Sequence, residues 1–249
     1  MNDATFSNLV CQVKTMKVGK VSIVGNGEPT LHPKFTVFVR ELAEAKNFLS
    51  LTTNGQLLDS KCIHNILEAP VDMINVSVDG KDKEGYEQSR IGGNLEKLIR
   101  NLTELKEMKR ESRSPALTVI RVAIRPSQCK MEQPLLDFWR PFGDVVSKQY
   151  IVDFTGAGGD TFKPLGREDV YPRCTLPSKQ LDVRWNGDVP LCSYSQWQTG
   201  QPGGLLLGNI RTSSLLELRD GHLMMTYRAG HRRRETELMP LCKGCRYGS

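Results

Sequence analysis

Five apolar runs, each followed by an amphipathic segment, constrain this chain more than any other feature. The runs are 21–24 (VSIV), 48–55 (FLSLTTNG), 73–80 (MINVSVDG), 117–124 (LTVIRVAI) and 145–152 (VVSKQYIV). They are short and bounded by Gly, Pro, Asn or Asp, the pattern of buried strands. Helical spacing appears at 3–17, 33–45, 57–67, 95–110 and 131–139, and in the first of these Phe6, Leu9, Val10 and Val13 share one face. Strands alternating with helices pair in parallel, with the helices packed outside. The expected class is α/β, with five parallel strands in an open sheet or a partial barrel. Three of the runs end in polar glycine turns: GNGEP (25–29), TTNG (52–55) and VSVDG (76–80). Ligands of parallel β/α proteins sit at the carboxyl ends of the strands. Three such turns side by side predict one pocket rim, although any one of them needs only to close a strand.

The pattern changes after residue 152. Residues 153–173 are rich in Gly, Pro and Asp and read as a linker between domains at 1–152 and 174–249. The stretch QLDVRWNGDVPLC has two alternating runs joined by Asn186-Gly187, a hairpin signal, and a helix is expected near 213–229. Of the seven cysteines, Cys11, Cys62 and Cys129 stand alone and read as small buried hydrophobes. Cys174 and Cys192 flank the hairpin, and Cys242 and Cys245 form a C-x2-C pair. Two such pairs can converge four thiolates on one centre, which suits tetrahedral zinc or a cubane iron–sulfur cluster equally well.

Composition excludes other classes. No apolar run approaches the roughly 18–20 residues that span a bilayer. The first ten residues lack the basic and apolar regions of a signal peptide, so a cytoplasmic location is expected. The net charge of +6 is dispersed over helix faces, without interleaved aromatics, which argues against a nucleic-acid partner.

Taken in order, GNGEPTLHP, TTNG, NVSVDG, YEQSRIGG, a Cys-x12-Gly-x4-Cys hairpin and a late C-x2-C resemble radical S-adenosylmethionine (SAM) enzymes with a C-terminal SPASM or twitch iron–sulfur module. The resemblance implies a partial (β/α)6 TIM-type barrel missing its first strand, followed by a β-hairpin plus helix module. It implies that Asn26, Gly27, Glu28 and Pro29 hold the SAM amino group, that Thr53, Asn54, Ser77 and Asp79 line the pocket, and that Arg90 meets the SAM carboxylate or else makes a salt bridge. Cys174, Cys192, Cys242 and Cys245 would hold an auxiliary [4Fe–4S] cluster. Arg121, Arg125, Tyr150 and Asp153, on or near the last two strands, are candidates to face the pocket or to serve structure.

The family's defining Cys-x3-Cys-x2-Cys loop is not in these residues. The catalytic cluster is therefore expected only in a longer form, and the chain as it stands is expected not to cleave SAM. The resemblance further implies hydrogen abstraction by a 5′-deoxyadenosyl radical and electron transfer to the auxiliary cluster, an oxidoreductase of dehydrogenase type. Its partners would be a small-molecule or peptide substrate and a flavodoxin- or ferredoxin-type electron donor. Two alternatives stand beside it: a pseudoenzyme that keeps one cluster, and a zinc-binding module that binds nucleic acid.

Overall fold

The computed structural model describes residues 1–25, 27–151, 159, 161, 174–195, 204–235, 238, 239 and 242. By internal contacts the chain divides into two units, one spanning Lys17–Ile151 and the other joining Met1–Met16 to Val152–Ser249.

The Lys17–Ile151 unit holds five parallel strands, β1 (Lys20–Ile23), β2 (Phe48–Thr53), β3 (Met73–Val78), β4 (Leu117–Ile124) and β5 (Val145–Tyr150), in the spatial order of the sequence. Every strand pairs with its successor. Sequential parallel order is the winding of a β/α barrel, not of a doubly wound sheet whose order reverses. Right-handed crossovers then put all the helices on one face. These helices, numbered after α1 (Asp3–Met16) of the other unit, are α2 (Phe35–Ala43), α3 (Ser60–Glu68), α4 (Lys83–Ser89), α5 (Leu95–Ser112) and α6 (Glu132–Trp139). Asp59, Asp82 and Asn94 cap α3, α4 and α5 with side-chain oxygens, each satisfying an otherwise orphaned backbone N–H.

The register shows which face is which. Leu49 and Leu51 of β2, Ile74, Val76 and Val78 of β3, and Ile120, Val122 and Ile124 of β4 are fully buried. They form the core with Ile63, Leu98, Leu102, Leu105 and Trp139 of the helices, which are also inaccessible to solvent or nearly so. The alternate residues make the other face, where Ser22, Ser50, Thr52, Asn75, Ser77, Arg121, Ser147 and Gln149 form a polar stripe among Phe48, Met73, Leu117, Val119, Ala123 and Val145, brought level by the pairings Ser22↔Ser50, Thr52↔Asn75, Ser77↔Arg121 and Arg121↔Ser147. A sheet with helices on one face and a polar stripe on the other is the wall of a barrel, its polar side turned to the lumen.

In the other unit, β6 (Asp188–Pro190) pairs antiparallel with β7 (Leu206–Asn209). The expected Asn186-Gly187 turn is present, with Gly187 N–H donating to Arg184 O at 2.9 Å and φ +90° at Gly187. The segment before the turn forms no strand, however, and β6 takes its ladder from β7, further along the chain. The helix expected near 213–229 is broken at Gly221 into Leu215–Asp220 and His222–Arg233. The helix α1 belongs here. Asn8 Nδ2 donates to Ile210 O at 2.7 Å, and Gln12 Oε1 accepts from Leu215 N–H at the start of Leu215–Asp220. Among the described residues, no helix is long and apolar enough to cross a membrane.

Candidate functional site

The site begins where β1 ends. Val24, Gly25 and Gly27 are exposed, and Asn26 lies outside the described residues. Glu28 then caps a one-turn 3₁₀ helix, Pro29–Leu31, whose first residue needs no donor because it is proline. The Glu28 carboxylate is a clasp. Its Oε1 accepts from Thr30 N at 3.2 Å, Thr30 Oγ1 at 2.7 Å and Thr53 Oγ1 at 2.8 Å, and its Oε2 accepts from Asn54 N at 2.7 Å. One carboxylate thus joins the GNGEP loop to the end of β2. A carboxylate offers about four acceptor positions; Oε1 is crowded, and Oε2 keeps one open.

The glycines around this carboxylate differ in kind. At Gly55 (φ +75°) a Cβ would lie 2.5 Å from Leu98 Cδ1, and at Gly80 (φ +59°) a Cβ would lie 2.8 Å from the Tyr86 amide nitrogen. Both positions require glycine for backbone reasons. At Gly27 a Cβ would meet nothing within 4 Å, and at Gly25 only an atom 3.9 Å away, and neither has left-handed φ. Nothing among the described residues accounts for these two. They leave bare, exposed backbone beside a carboxylate, a cradle that a Cβ would partly fill and that an ammonium group fits.

The β2 turn is braced from below and from the side. Asn54 Oδ1 accepts from Gln56 N at 2.9 Å, and Asn101 Nδ2 reaches Gly55 O at 2.8 Å. Gln56 Nε2 donates to Tyr86 Oη at 3.1 Å and to Asn94 O at 3.0 Å, while its Oε1 accepts from Asn94 N at 3.2 Å. These bonds fix the 90–94 loop against the turn. Burial pushes the Tyr86 phenol above its ordinary pKa, so it remains a neutral donor and acceptor. At the end of β3, Asp79 is buried and Arg90 Nε donates to its Oδ2 in a close ion pair. Of the two roles open to Arg90, the salt bridge is the one present, and it is partly buried. Ser77 lies on the polar sheet face, half-buried. Trp139 Nε1 donates to Gly80 O at 2.8 Å and locks the VSVDG turn.

The candidates on the last strands separate. Arg121 is on the polar face, with Nε donating to Asn75 Oδ1 at 3.0 Å. Tyr150 is on the opposite, helix-bearing face and donates to Glu132 Oε2 of α6 at 3.0 Å, so it does not line the polar face. Arg125 sits at the N-terminus of a 3₁₀ helix, Pro126–Met131, where its backbone N–H meets Gln128 Oε1 at 3.1 Å. Asp153 lies outside the described residues.

The lone cysteines are less buried than expected. Cys11 and Cys129 are exposed, because each falls on the solvent side of its helical turn. Cys62 is half-buried, and burial pushes its thiol up to about 11. In the C-terminal unit, Cys242 is buried in an apolar nucleus with Leu191, Met224, Tyr227 and Met239. Leu191 immediately precedes Cys192, so this nucleus draws the two cysteine-bearing segments together. Cys174 precedes a short helical turn, Leu176–Lys179, that is tied to His222–Arg233 by Arg228 Nε donating to Pro177 O at 2.8 Å. Cys245 lies outside the described residues, and among those described no three His, Cys, Asp or Glu side chains form a metal site. The donor set is thiolate, which fits soft-metal and iron–sulfur chemistry.

Comparison with known proteins agrees with this layout. The family model of the radical SAM superfamily matches residues 5–124, and that of an iron–sulfur cluster-binding domain, SPASM, matches residues 174–246. A probable GTP 3′,8-cyclase of Methanococcus maripaludis is 30% identical over 132 residues, covering 52% of this chain and 41% of the relative. A tungsten-containing aldehyde ferredoxin oxidoreductase cofactor-modifying protein of Pyrococcus furiosus is 40% identical over 55 residues, 22% of this chain and 15% of that one. The chain therefore spans less than half the length of these curated relatives. Among solved structures, native anSMEcpe with bound AdoMet aligns with a TM-score of 0.69 at 18% identity, covering 99% of this chain and 80% of the other. BtrN in complex with AdoMet and 2-DOIA aligns with a TM-score of 0.61 at 18% identity, covering 98% and 80%. At such identity the likeness establishes the fold.

Proposed function

The chain belongs to the radical SAM superfamily and carries a SPASM iron–sulfur domain, and from that premise we propose that it is the SAM-binding and auxiliary-cluster portion of a radical oxidoreductase. Membership brings SAM and [4Fe–4S] clusters as cofactors. When bound beside a reduced cluster, SAM would supply one-electron chemistry, the removal of a hydrogen atom from substrate.

This chain's own residues would bind and orient. The exposed backbone at Gly25 and Gly27 offers carbonyl oxygens to the SAM ammonium, with Asn26 between them in the sequence, and Glu28 adds the acceptor position left on Oε2. Thr30, in the turn that Pro29 begins, holds that carboxylate in place, with Thr53 and Asn54 on the far side. Ser77 and Asp79 line the end of β3. Arg90, steered by Asp79 through Nε, presents its remaining N–H groups to the SAM carboxylate. Cys174, Cys192, Cys242 and Cys245 would hold the auxiliary [4Fe–4S] cluster. Four protein thiolates saturate a cubane, which suits electron transfer and favours net two-electron oxidation of a small molecule or peptide, with a flavodoxin or ferredoxin as donor. The observation that carries the reading is the pair of glycines for which no described residue requires glycine, set beside a carboxylate with one acceptor position left.

Calorimetric titration with SAM tests this directly. Saturable binding that Glu28→Gln weakens at least tenfold supports the reading, and no binding sinks it. The 249 residues contain no Cys-x3-Cys-x2-Cys sequence, so the expected yield of 5′-deoxyadenosine under anaerobic reduction is nil. Zinc in place of iron and sulfide in the C-terminal unit, with salt-sensitive nucleic-acid binding, would favour the zinc-module alternative.

A further inference from the structure

We infer that Arg121 is the anchor for an oxyanion, a carboxylate or phosphate, on the substrate bound over the polar face of the sheet; the inference rests on the proposed SAM site at the strand ends. The polar face carries Lys20, Ser22, Ser50, Thr52, Asn75, Ser77, Arg121, Ser147 and Gln149, and no Asp or Glu among its strand residues. Its positive charge is thus unbalanced from within the strands. Lys20 lies at the start of β1, at the opposite end of the strands from the glycine turns, with its ammonium 5.3 Å from the ring centroid of Phe48. Arg121 lies deeper in the sheet's polar face, level with Ser77.

Arg121 is held, not loose. Asn75, 4% exposed, donates Nδ2 to Leu51 O at 3.2 Å and accepts from Arg121 Nε at 3.0 Å. A buried amide fixed by backbone therefore orients the guanidinium by its Nε–H alone. The four Nη hydrogens have no partner among the described residues, and Arg121 itself is exposed. Their parallel fork matches a carboxylate or phosphate in bidentate fashion. Arg90 is also held through Nε, but by the charged carboxylate of Asp79, which offsets its positive charge, whereas the neutral Asn75 amide leaves that of Arg121 in full. The register also separates the two arginines. Arg121 is level with Ser77, two residues or about 7 Å below Asp79. The SAM head group belongs at the rim, and Arg121 lies beneath it on the wall.

The test is a titration of the chain, at low ionic strength, with inorganic pyrophosphate and with succinate. It is read by calorimetry and by the Arg121 side-chain Nε–H resonance in a 15N-labelled sample, and SAM is titrated in parallel. The expected result is a saturable shift of that resonance with at least one probe, a tenfold or greater loss of probe affinity in Arg121→Gln, partial retention in Arg121→Lys, and SAM affinity unchanged within twofold. The wild-type resonance keeps the test decisive if a variant does not fold. An unmoved resonance, or probe binding unchanged in Arg121→Gln, overturns the inference. A parallel tenfold loss of SAM affinity also overturns it, because Arg121 would then serve the cofactor's carboxylate. Absence of SAM binding to wild type, with the anion still bound at Arg121, would instead refute the SAM site and leave the anion anchor standing.

Discussion

Replacing Glu28 with Gln separates a clasp from a ligand group. In the native loop one carboxylate takes four hydrogen bonds from Thr30, Thr53 and Asn54. Glutamine keeps a single acceptor oxygen. Its best placement leaves that oxygen at the crowded Oε1 position and turns the NH2 towards the Asn54 amide, donor against donor. One charge-assisted bond is lost, at about 1.5–3 kcal/mol, and three others lose their charge. The site is half-exposed, and water takes back part of that, so the expected destabilisation is about 2 kcal/mol. Urea unfolding followed by tryptophan fluorescence measures it as a lower midpoint at unchanged slope. A change under about 0.5 kcal/mol would mean that the clasp does not form in solution. If that small change came with complete loss of SAM binding, the carboxylate would face the ligand and the loop would be held some other way.

Three further outcomes follow from the geometry. Gly55→Ala combines left-handed strain with a Cβ 2.5 Å from Leu98 Cδ1, and is expected to cost roughly 2–4 kcal/mol in the same unfolding assay. Anaerobic reconstitution is expected to load about four iron and four sulfide per chain in the C-terminal unit, and Cys192→Ser to lose most of both by elemental analysis. For Asp144, burial works to raise the carboxyl pKa, but bonds from Lys109 Nζ and Thr118 N outweigh it and hold the group below its ordinary value. A depressed carboxyl contributes stability that is complete above its unfolded pKa and is lost as pH falls through the folded one. Asp144→Asn is therefore expected to lower the urea midpoint at pH 6 and to flatten its decline below about pH 4.

The strands and their parallel pairing were legible because hydrophobic runs and punctuating glycines are local signals. The partners of those residues were not. Glu28 was readable as a candidate for the cofactor loop, but its bonds to Thr53 and Asn54 span 25 and 26 residues, and no pattern within one turn announces them. Asn186-Gly187 announced a turn correctly, yet the ladder for β6 came from β7, because strand pairing is settled by which edge is available and not by the turn alone. Tyr150 and Arg121 looked alike as polar residues in late strands. Side-chain alternation puts them on opposite faces, and the period of two could have separated them. The same period holds a signal that went unused. Ser50 and Thr52, Asn75 and Ser77, and Arg121 alternate with Leu49, Leu51, Ile74, Val76, Ile120 and Val122. Parallel strands covered on both faces read as continuous apolar runs. Strands that alternate while pairing in parallel must turn one face to a polar interior, so the choice between open sheet and barrel was already written in β2 and β3, with Arg121 the one charged residue of β4 on that side.

The glycines make a similar argument at finer scale. In sequence, Gly25, Gly27, Gly55 and Gly80 are equivalent, each ending a strand. In the structure, Gly55 and Gly80 have left-handed backbone and no room for a Cβ, and substituting either would strain the fold. Gly25 and Gly27 have room and ordinary backbone. Alanine at Gly27 should therefore leave stability within about 0.5 kcal/mol of wild type, while its methyl group intrudes on whatever approaches the loop. If Gly27→Ala weakens SAM binding at unchanged unfolding midpoint, the glycine is there for the ligand. If it destabilises the fold and spares SAM, the loop is structural and the case for an ammonium cradle falls with it.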